Sequence, residues 1–337
     1  VPLSWYADSA VYERELRSVF RHGWQYAGSV DRLTDSASYF TSWIARTPIV
    51  VVKDADGLLR AFANVCPHRG HAVADGQGAR RSLQCPYHGW TFALDGKLRS
   101  APRTDNEPTF NREQVGLREL SIATWGPLIF VNPDPRTSFE DTADPLLRAA
   151  ARRGFTVEAF PRRASREWEL ACNWKVTLDN NTECYHCATI HPSFASNYYV
   201  DSDHYLVEGH QYCFTHESPM KRSENTSTAP DFHLYYLWPN FMISARRAEY
   251  FYIYHYRPVG PNRTLQVNDY FFPADWSERQ VEEEIDHISV IMREDWAAFE
   301  SVQRGIESGM IERGIVLPEE EGLLCHFQTM LTDALAD

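Results

Sequence analysis

Two short segments carry cysteine and histidine in the same order: Cys66-Pro-His68-Arg-Gly-His71 and Cys85-Pro-Tyr-His88-Gly-Trp90. The pattern is C-x-H, sixteen intervening residues, then C-x-x-H. Each half offers one thiolate and one imidazole from a Pro/Gly-rich loop, whose backbone N–H groups can face sulfur. Two thiolates on one iron and two imidazoles on the other are a ligand set for a [2Fe–2S] cluster. Structural zinc is the alternative for four such donors, but zinc modules usually pair Cys with Cys and His with His. Unrelated core residues would not share one internal grammar. His71 has no ligand spacing and is read as structural.

A second set lies in Asn173-Trp-Lys-Val-Thr-Leu-Asp-Asn-Asn-Thr-Glu183-Cys-Tyr-His186-Cys-Ala-Thr-Ile-His191, which contains E-x-x-H-x-x-x-x-H. On a helix, Glu183 and His186 would share a face at i and i+3. His191 precedes Pro192, where a helix must distort or end. Far downstream, an apolar stripe runs Val281, Ile285, Ile288, Met292, Phe299, Val302 and Ile306, and its missing member is Asp295. A carboxylate on a buried stripe is costly unless it is paired or bound to metal. Two imidazoles and one carboxylate form the facial triad of non-haem Fe(II) oxygenases, with positions left open for O₂. The bland alternative pairs Asp295 with an arginine and leaves the histidines as core residues. Glu294 is the substitute ligand should Asp295 fail. Cys184 and Cys187 make a C-x-x-C around His186; without a βαβ setting they read as small helix residues.

These residues need elements to hold them. Residues 8–24 read as a helix through Val11, Leu16, Val19 and Phe20. Over 36–133, β-rich runs such as Thr47-Pro-Ile-Val-Val-Val52 and Leu128-Ile-Phe-Val131 alternate with turns, among them Asp54-Ala-Asp-Gly57 and Leu94-Asp-Gly-Lys97. That is a small all-β module. Beyond residue 165 the pattern predicts a helix over 174–190 and strands at 206–216, 233–246, 249–258 and 264–272. Leu265 and Val267 alternate with Gln266 and Asn268 as in a half-buried strand, and Val259-Gly-Pro-Asn262 turns the chain before it. Ser277 and Gln280 form a capping box opening a long helix to about 308. The fold class is α+β, with the β module at 36–135 and a second domain from 1–35 and 136–337.

The 337 residues include 33 basic and 46 acidic side chains, a formal charge of −13. Such a surface repels phosphate backbones, so no nucleic-acid partner is expected; Arg162, Arg163 and Arg166 read as solvated surface. No apolar run approaches the roughly 18–20 residues of a membrane span. The N-terminal residues carry no basic or apolar leader pattern, and cytoplasm is the default expectation. Seven cysteines, unevenly spread, do not suggest a secreted disulfide framework. Asp75-Gly-Gln-Gly-Ala79 lacks a dinucleotide fingerprint, so NAD(P)H would act only through a separate protein.

With both motifs in place, the chain resembles the ring-hydroxylating, Rieske-type non-haem iron oxygenases over nearly its whole length. The resemblance implies that Cys66, His68, Cys85 and His88 hold the [2Fe–2S] cluster, and that His186, His191 and Asp295 hold the mononuclear Fe(II). It also implies a helix-grip (START-like) catalytic domain with an antiparallel sheet and a long C-terminal helix. Respiratory Rieske proteins place cysteines where His71 and Tyr87 stand here, which favours the oxygenase branch over a pure electron carrier. In the family, the cluster of one subunit serves the iron of its neighbour in a homotrimer. A carboxylate bridges the two sites; Glu183 matches it, with His88 and His186 as partners. A reductase, with or without a ferredoxin, supplies electrons, and O₂ is the cosubstrate.

Most of the family carries Asp at the bridging position. Glu183-Cys-Tyr-His-Cys187 and Tyr235-Tyr-Leu-Trp-Pro-Asn-Phe-Met-Ile243 resemble the branch of choline monooxygenase, carnitine oxygenase and betaine demethylases. The implied reaction is hydroxylation or oxidative demethylation of a small substrate such as a quaternary ammonium or betaine. Tyr235, Trp238 and Tyr254 are then candidates for cation–π contacts. An aromatic carboxylate or arene is the alternative substrate class.

Overall fold

The computed structural model describes residues 1–221, 231–246 and 249–336. The chain divides into two compact units, residues 21–136 and residues 1–20 with 137–337.

The smaller unit is all β. Its strands are β1 (Gln25–Ser29), β2 (Ser38–Ile44), β3 (Thr47–Lys53), β4 (Leu59–Ala63), β5 (Gln77–Ala79), β6 (Leu83–Gln84), β7 (Thr91–Phe92), β8 (Leu98–Ser100), β9 (Glu119–Trp125) and β10 (Leu128–Asn132). Seven form one sheet in the order β1-β10-β9-β4-β3-β2-β5, and β6-β7-β8 form a second. The continuous apolar run of β3 reflects burial on both faces. Val50 and Val52 point to the core that also contains Cys66 and Cys85, while Ile49 and Val51 pack with Phe40 and Ile129. The sequence-based boundary at residue 36 falls too late. Strand β1 pairs antiparallel with β10, so residues 21–35 belong to this unit.

In the larger unit the strands are β11 (Arg162–Leu170), β12 (Leu206–His210), β13 (Cys213–Ser218), β14 (Phe232–Leu237), β15 (Phe241–Arg246), β16 (Tyr250–Gly260) and β17 (Arg263–Phe271). They form one antiparallel sheet in the order β11-β17-β16-β15-β14-β13-β12. Its helices are α1 (Ser9–His22, which runs on across the boundary), α2 (Phe139–Arg152), α3 (Trp174–Asn181), α4 (Cys187–Ile190), α5 (Pro192–Asn197), α6 (Glu278–Glu307) and α7 (Gly322–Ala336). The 30-residue α6 is the long helix, opened by the Ser277/Gln280 capping box, a device that stabilises by about 1 kcal/mol.

Five expectations need correction here. The 206–216 and 233–246 segments each break into a hairpin: the first turns at Gln211-Tyr212, the second at Trp238-Pro239-Asn240, where proline cannot continue a ladder. The helix expected over 174–190 stops at Asn181 and restarts at Cys187. In β17 the alternation is present but inverted: Thr264, Gln266 and Asn268 are the buried set, because Gln266 meets Met292 and Trp296 of α6. On α6, Val302 is exposed and Gln303 is buried beside it, bonded to the backbone of Asn173 and Tyr6. The three arginines read as solvated surface are instead half-buried and paired: Arg162 lies beside Asp269, Arg163 donates to Pro273 O and Trp276 O and pairs with Glu278, and Arg166 pairs with Glu282.

Candidate active site and metal centres

In the smaller unit, the two Cys/His loops fold alike. The Cys66 N–H donates to His71 O at 2.8 Å and the Gly70 N–H to Cys66 O at 2.8 Å. The same pair recurs as Cys85 N–H to Trp90 O at 2.8 Å and Gly89 N–H to Cys85 O at 3.0 Å. Gly70 and Gly89 have φ of +79° and +75°, a region that costs a side chain strain and glycine little. Asn64 fixes the first loop from inside, donating to Ala74 O and accepting from Val73 N and Ala74 N. Both thiols are buried, whereas His68 and His88 are exposed with ring centres 4.6 Å apart. Burial pushes the Cys66 thiol up, against the opposing effect of the His68 and Arg69 N–H groups directed at its sulfur. His88 is lowered by desolvation first and then by the positive charge of His68 and Arg69. Two buried sulfurs, that of Cys66 supplied with N–H donors, and two outer imidazoles side by side fit a cluster with one iron inside and one outside.

In the larger unit the second site is assembled from distant segments. Helix α3 is held by a buried cluster: Lys175 Nζ lies 2.6 Å from Glu15 Oε1, and Trp174 Nε1 donates to Glu15 Oε2 at 2.8 Å. Tyr6 donates to Asp179 Oδ2 at 2.6 Å. Burial pushes Asp179 up to about 7, with the Tyr6 hydrogen bond and the Lys175 charge opposing.

Glu183 and His186 therefore stand in the turn between α3 and α4, not on a helical face. The turn still brings them together: Glu183 accepts from the His186 backbone N–H at 3.0 Å and faces His186 Nδ1 at 2.5 Å. Cys184 and Cys187 are joined by a disulfide across this turn, in place of the helix positions expected for them. His191 lies between α4 and α5, with Pro192 opening α5 where its missing N–H costs nothing.

Helix α6 then closes the site. His191 Nε2 lies 2.9 Å from Asp295 Oδ1, and His186 Nε2 lies 3.7 Å from the same oxygen. Glu294 is not a substitute ligand; it faces the other nitrogen of His191, Nδ1, at 2.8 Å. Each imidazole thus meets a carboxylate at Nδ1, which fixes the N–H there and leaves Nε2 pointing at Asp295. Desolvation works to lower His191, but the hydrogen bonds and charges of Asp295 and Glu294 outweigh it and raise it. The three donor atoms of His186, His191 and Asp295 lie within 4.8 Å of one another, and among the described residues no other group of three closes to that size. Three convergent donors, two with their outer nitrogens already bonded, fit a mononuclear metal with open positions.

A pocket opens from this triad along one face of the sheet. Register sets its walls: Phe232 is opposite Arg246 and Arg246 opposite Tyr250, while Leu234, Ser244 and Tyr252 form the next row. Of the three aromatic candidates only Tyr254 lines it. Tyr235 is one residue out of phase with Phe232 and Leu234 and so points to the opposite face, stacked on Phe155. Trp238 lies in the core with Trp174 and Phe327. Tyr250 and Tyr252 went unnoticed in the sequence, although the period of two from Tyr254 would have found both. Arg246 and His216, also in the wall, carried no signal.

Residues 157–337 match the family model of the ring-hydroxylating alpha subunit catalytic domain, and residues 22–115 match the Rieske [2Fe-2S] domain. The carnitine monooxygenase oxygenase subunit of Escherichia coli (strain K12) is 31% identical, over 100% of this chain and 94% of its own. The chloroplastic choline monooxygenase of Spinacia oleracea is 30% identical, over 99% of this chain and 78% of its own. A solved quaternary ammonium Rieske monooxygenase, described for carnitine oxidation and inter-subunit electron transfer, superposes with a TM-score of 0.87 at 30% identity, covering 99% of this chain and 94% of that one. The chain belongs to the Rieske non-haem iron oxygenases, as an oxygenase alpha subunit with a [2Fe–2S] domain and a catalytic iron domain.

Proposed function

We propose that this chain is the terminal oxygenase of a multicomponent monooxygenase that hydroxylates or oxidatively demethylates a methylated ammonium compound. The observation carrying this reading is the convergence of His186, His191 and Asp295 at one end of a pocket walled by Tyr250, Tyr252 and Tyr254. Aromatic faces attract a quaternary ammonium, which offers no hydrogen bonds and needs none. The relatives named for carnitine and choline support that substrate class.

When bound, the cluster supplies electrons singly and the ferrous iron activates O₂. The remaining roles belong to protein side chains. Cys66, Cys85, His68 and His88 would hold the cluster, and His186, His191 and Asp295 the iron. Glu183 fixes the His186 ring through Nδ1, and Glu294 does the same for His191. Across the interface of a homotrimer, the outer side of Glu183 would meet a neighbouring subunit's His88, coupling the two centres. Electrons would reach the cluster from an NAD(P)H-dependent reductase, with or without a ferredoxin.

No helix among the described residues is long and apolar enough to cross a membrane. An electron-carrier role would leave the catalytic domain without purpose. The test is iron and acid-labile sulfide per chain, with the EPR spectrum after dithionite reduction. About three irons, two sulfides and a rhombic Rieske signal are expected, followed by O₂ uptake with betaines, carnitine or choline. Zinc without sulfide after anaerobic preparation would overturn the reading, and turnover of arenes alone would move it to the aromatic branch.

A further inference from the structure

Arg246 is the one guanidinium or ammonium among the described residues lining the pocket. It ends β15, half-buried, with its guanidinium 5.5 Å from the centre of the Tyr250 ring. The carboxylates whose charge it feels, Glu284 and Glu249, lie beyond ion-pair distance, and Glu284 already accepts from Tyr250 at 2.6 Å. The Arg246 backbone is used in the ladder and by the Glu249 N–H, but among the described residues its guanidinium makes no ion pair and no hydrogen bond. A half-buried guanidinium with five N–H donors and no acceptor is poorly compensated by one ring contact. A ligand oxygen would supply what the protein withholds.

Its position is as informative as its charge. Arg246 is opposite Tyr250, and Met242 is opposite Tyr254, so the two wall positions are four residues apart on paired strands. That is about 13 Å along the sheet. Tyr254 is at the triad end, close enough for its phenol to feel the Asp295 charge. The negative groups of the pocket, Glu183 and Asp295, are gathered at that same end. His216, in the middle row, is pushed down to about 4 by burial and the neighbouring His233, and so adds no second cation at neutral pH. The pocket is polarised: its lining carboxylates gather at the triad, its guanidinium stands at the other end, and aromatic rings line the length between.

Resting on the assignment of this pocket to the substrate, we infer that Arg246 binds a carboxylate at the end of the substrate remote from the carbon that is oxidised. The substrate is then a carboxylated amine such as a betaine, not an amino alcohol such as choline. A guanidinium fork matches a carboxylate with two parallel hydrogen bonds, and each charge-assisted bond is stronger than a neutral one.

The experiment uses the cluster- and iron-loaded full chain, with binding measured by calorimetry in the oxidised state so that turnover is not required. γ-Butyrobetaine and its methyl ester differ only in the charge at issue. The wild type should bind the acid roughly 30–100-fold more tightly than the ester, the range expected for losing hydrogen bonds to a charged group. Arg246→Gln should abolish that preference while changing ester binding less than about threefold, and Arg246→Lys should keep part of it. Unchanged iron, sulfide and cluster EPR exclude a folding defect. Equal losses for acid and ester in R246Q would make Arg246 structural and overturn the inference. So would a wild type that binds choline but none of a panel of aliphatic betaines and aromatic acids. Binding of aromatic acids alone, still lost in R246Q, would retain the carboxylate anchor and reject the ammonium reading.

Discussion

The two candidate metal centres are built on opposite principles. The four candidate cluster donors lie within 23 positions, from Cys66 to His88, on two loops whose backbone hydrogen bonds repeat each other. Their imidazoles are exposed, and the geometry of each loop is set by its own glycine and cysteine. At the second centre, His191 and Asp295 are 104 residues apart, and their contact is buried. The geometry there depends on Glu183, on Glu294, and on the packing of α6 and α3. A local site is specified by its motif; a dispersed site is specified by the core that brings its parts together. Damage should accordingly stay confined at the first and spread at the second.

The largest effect should come from removing ligands. Cys85→Ser should eliminate sulfide and the cluster EPR signal while leaving one iron at the triad. Asp295→Ala should do the reverse, with iron falling from about three to two per chain and the cluster spectrum intact. Loss of both centres in either variant would deny the independence claimed here. Glu183→Gln should retain both metals but abolish turnover, since an amide still reaches His186 without holding its charge; normal turnover would remove Glu183 from the electron path. Glu294→Gln tests the support of the dispersed site. A roughly 10–100-fold loss in iron affinity is expected, as for other groups that orient a ligating imidazole; among the described residues no carboxylate of the same chain bonds the exposed cluster histidines, so that test has no counterpart there.

The smallest effect concerns stability. Asp179 has a folded pKa near 7, above its ordinary value, so the folded state binds the extra proton. Its contribution to stability is complete below about pH 4 and is lost as pH rises through 7. Its Oδ1 is buried without a partner, as a protonated carboxyl tolerates better than a carboxylate. Asp179→Asn should flatten the fall in unfolding free energy between pH 5 and 8, obtained from denaturant titrations, by an amount on the order of 1–3 kcal/mol. An unchanged slope would assign that pH dependence elsewhere.

The candidate metal-ligating residues were legible because metals demand particular donors at restricted spacings. The C-x-H and C-x-x-H loops, E-x-x-H-x-x-x-x-H and the acid at position 295 needed no structure to be found. Asp295 was visible only because a helix has a fixed period, so a polar residue on an apolar stripe stands out. The same logic failed where local pattern is silent on direction. Period two in β14 separates Tyr235 from Phe232 and Leu234, but which set faces the pocket depends on the layers above and below the sheet. It likewise failed in β17, where Gln266 and Asn268 are buried because α6 offers them partners.

The family, the two candidate ligand sets and the succession from a β module to a helix-and-sheet domain were readable from the chain alone, since these rest on residue identity and short-range spacing. Tertiary structure alone decided that Glu294 serves His191, that Glu183 acts from a turn, and that Arg246 faces the same pocket as Asp295. Those are relations between segments tens to a hundred residues apart. Their energies come from burial and pairing, which exist only after the chain has closed on itself.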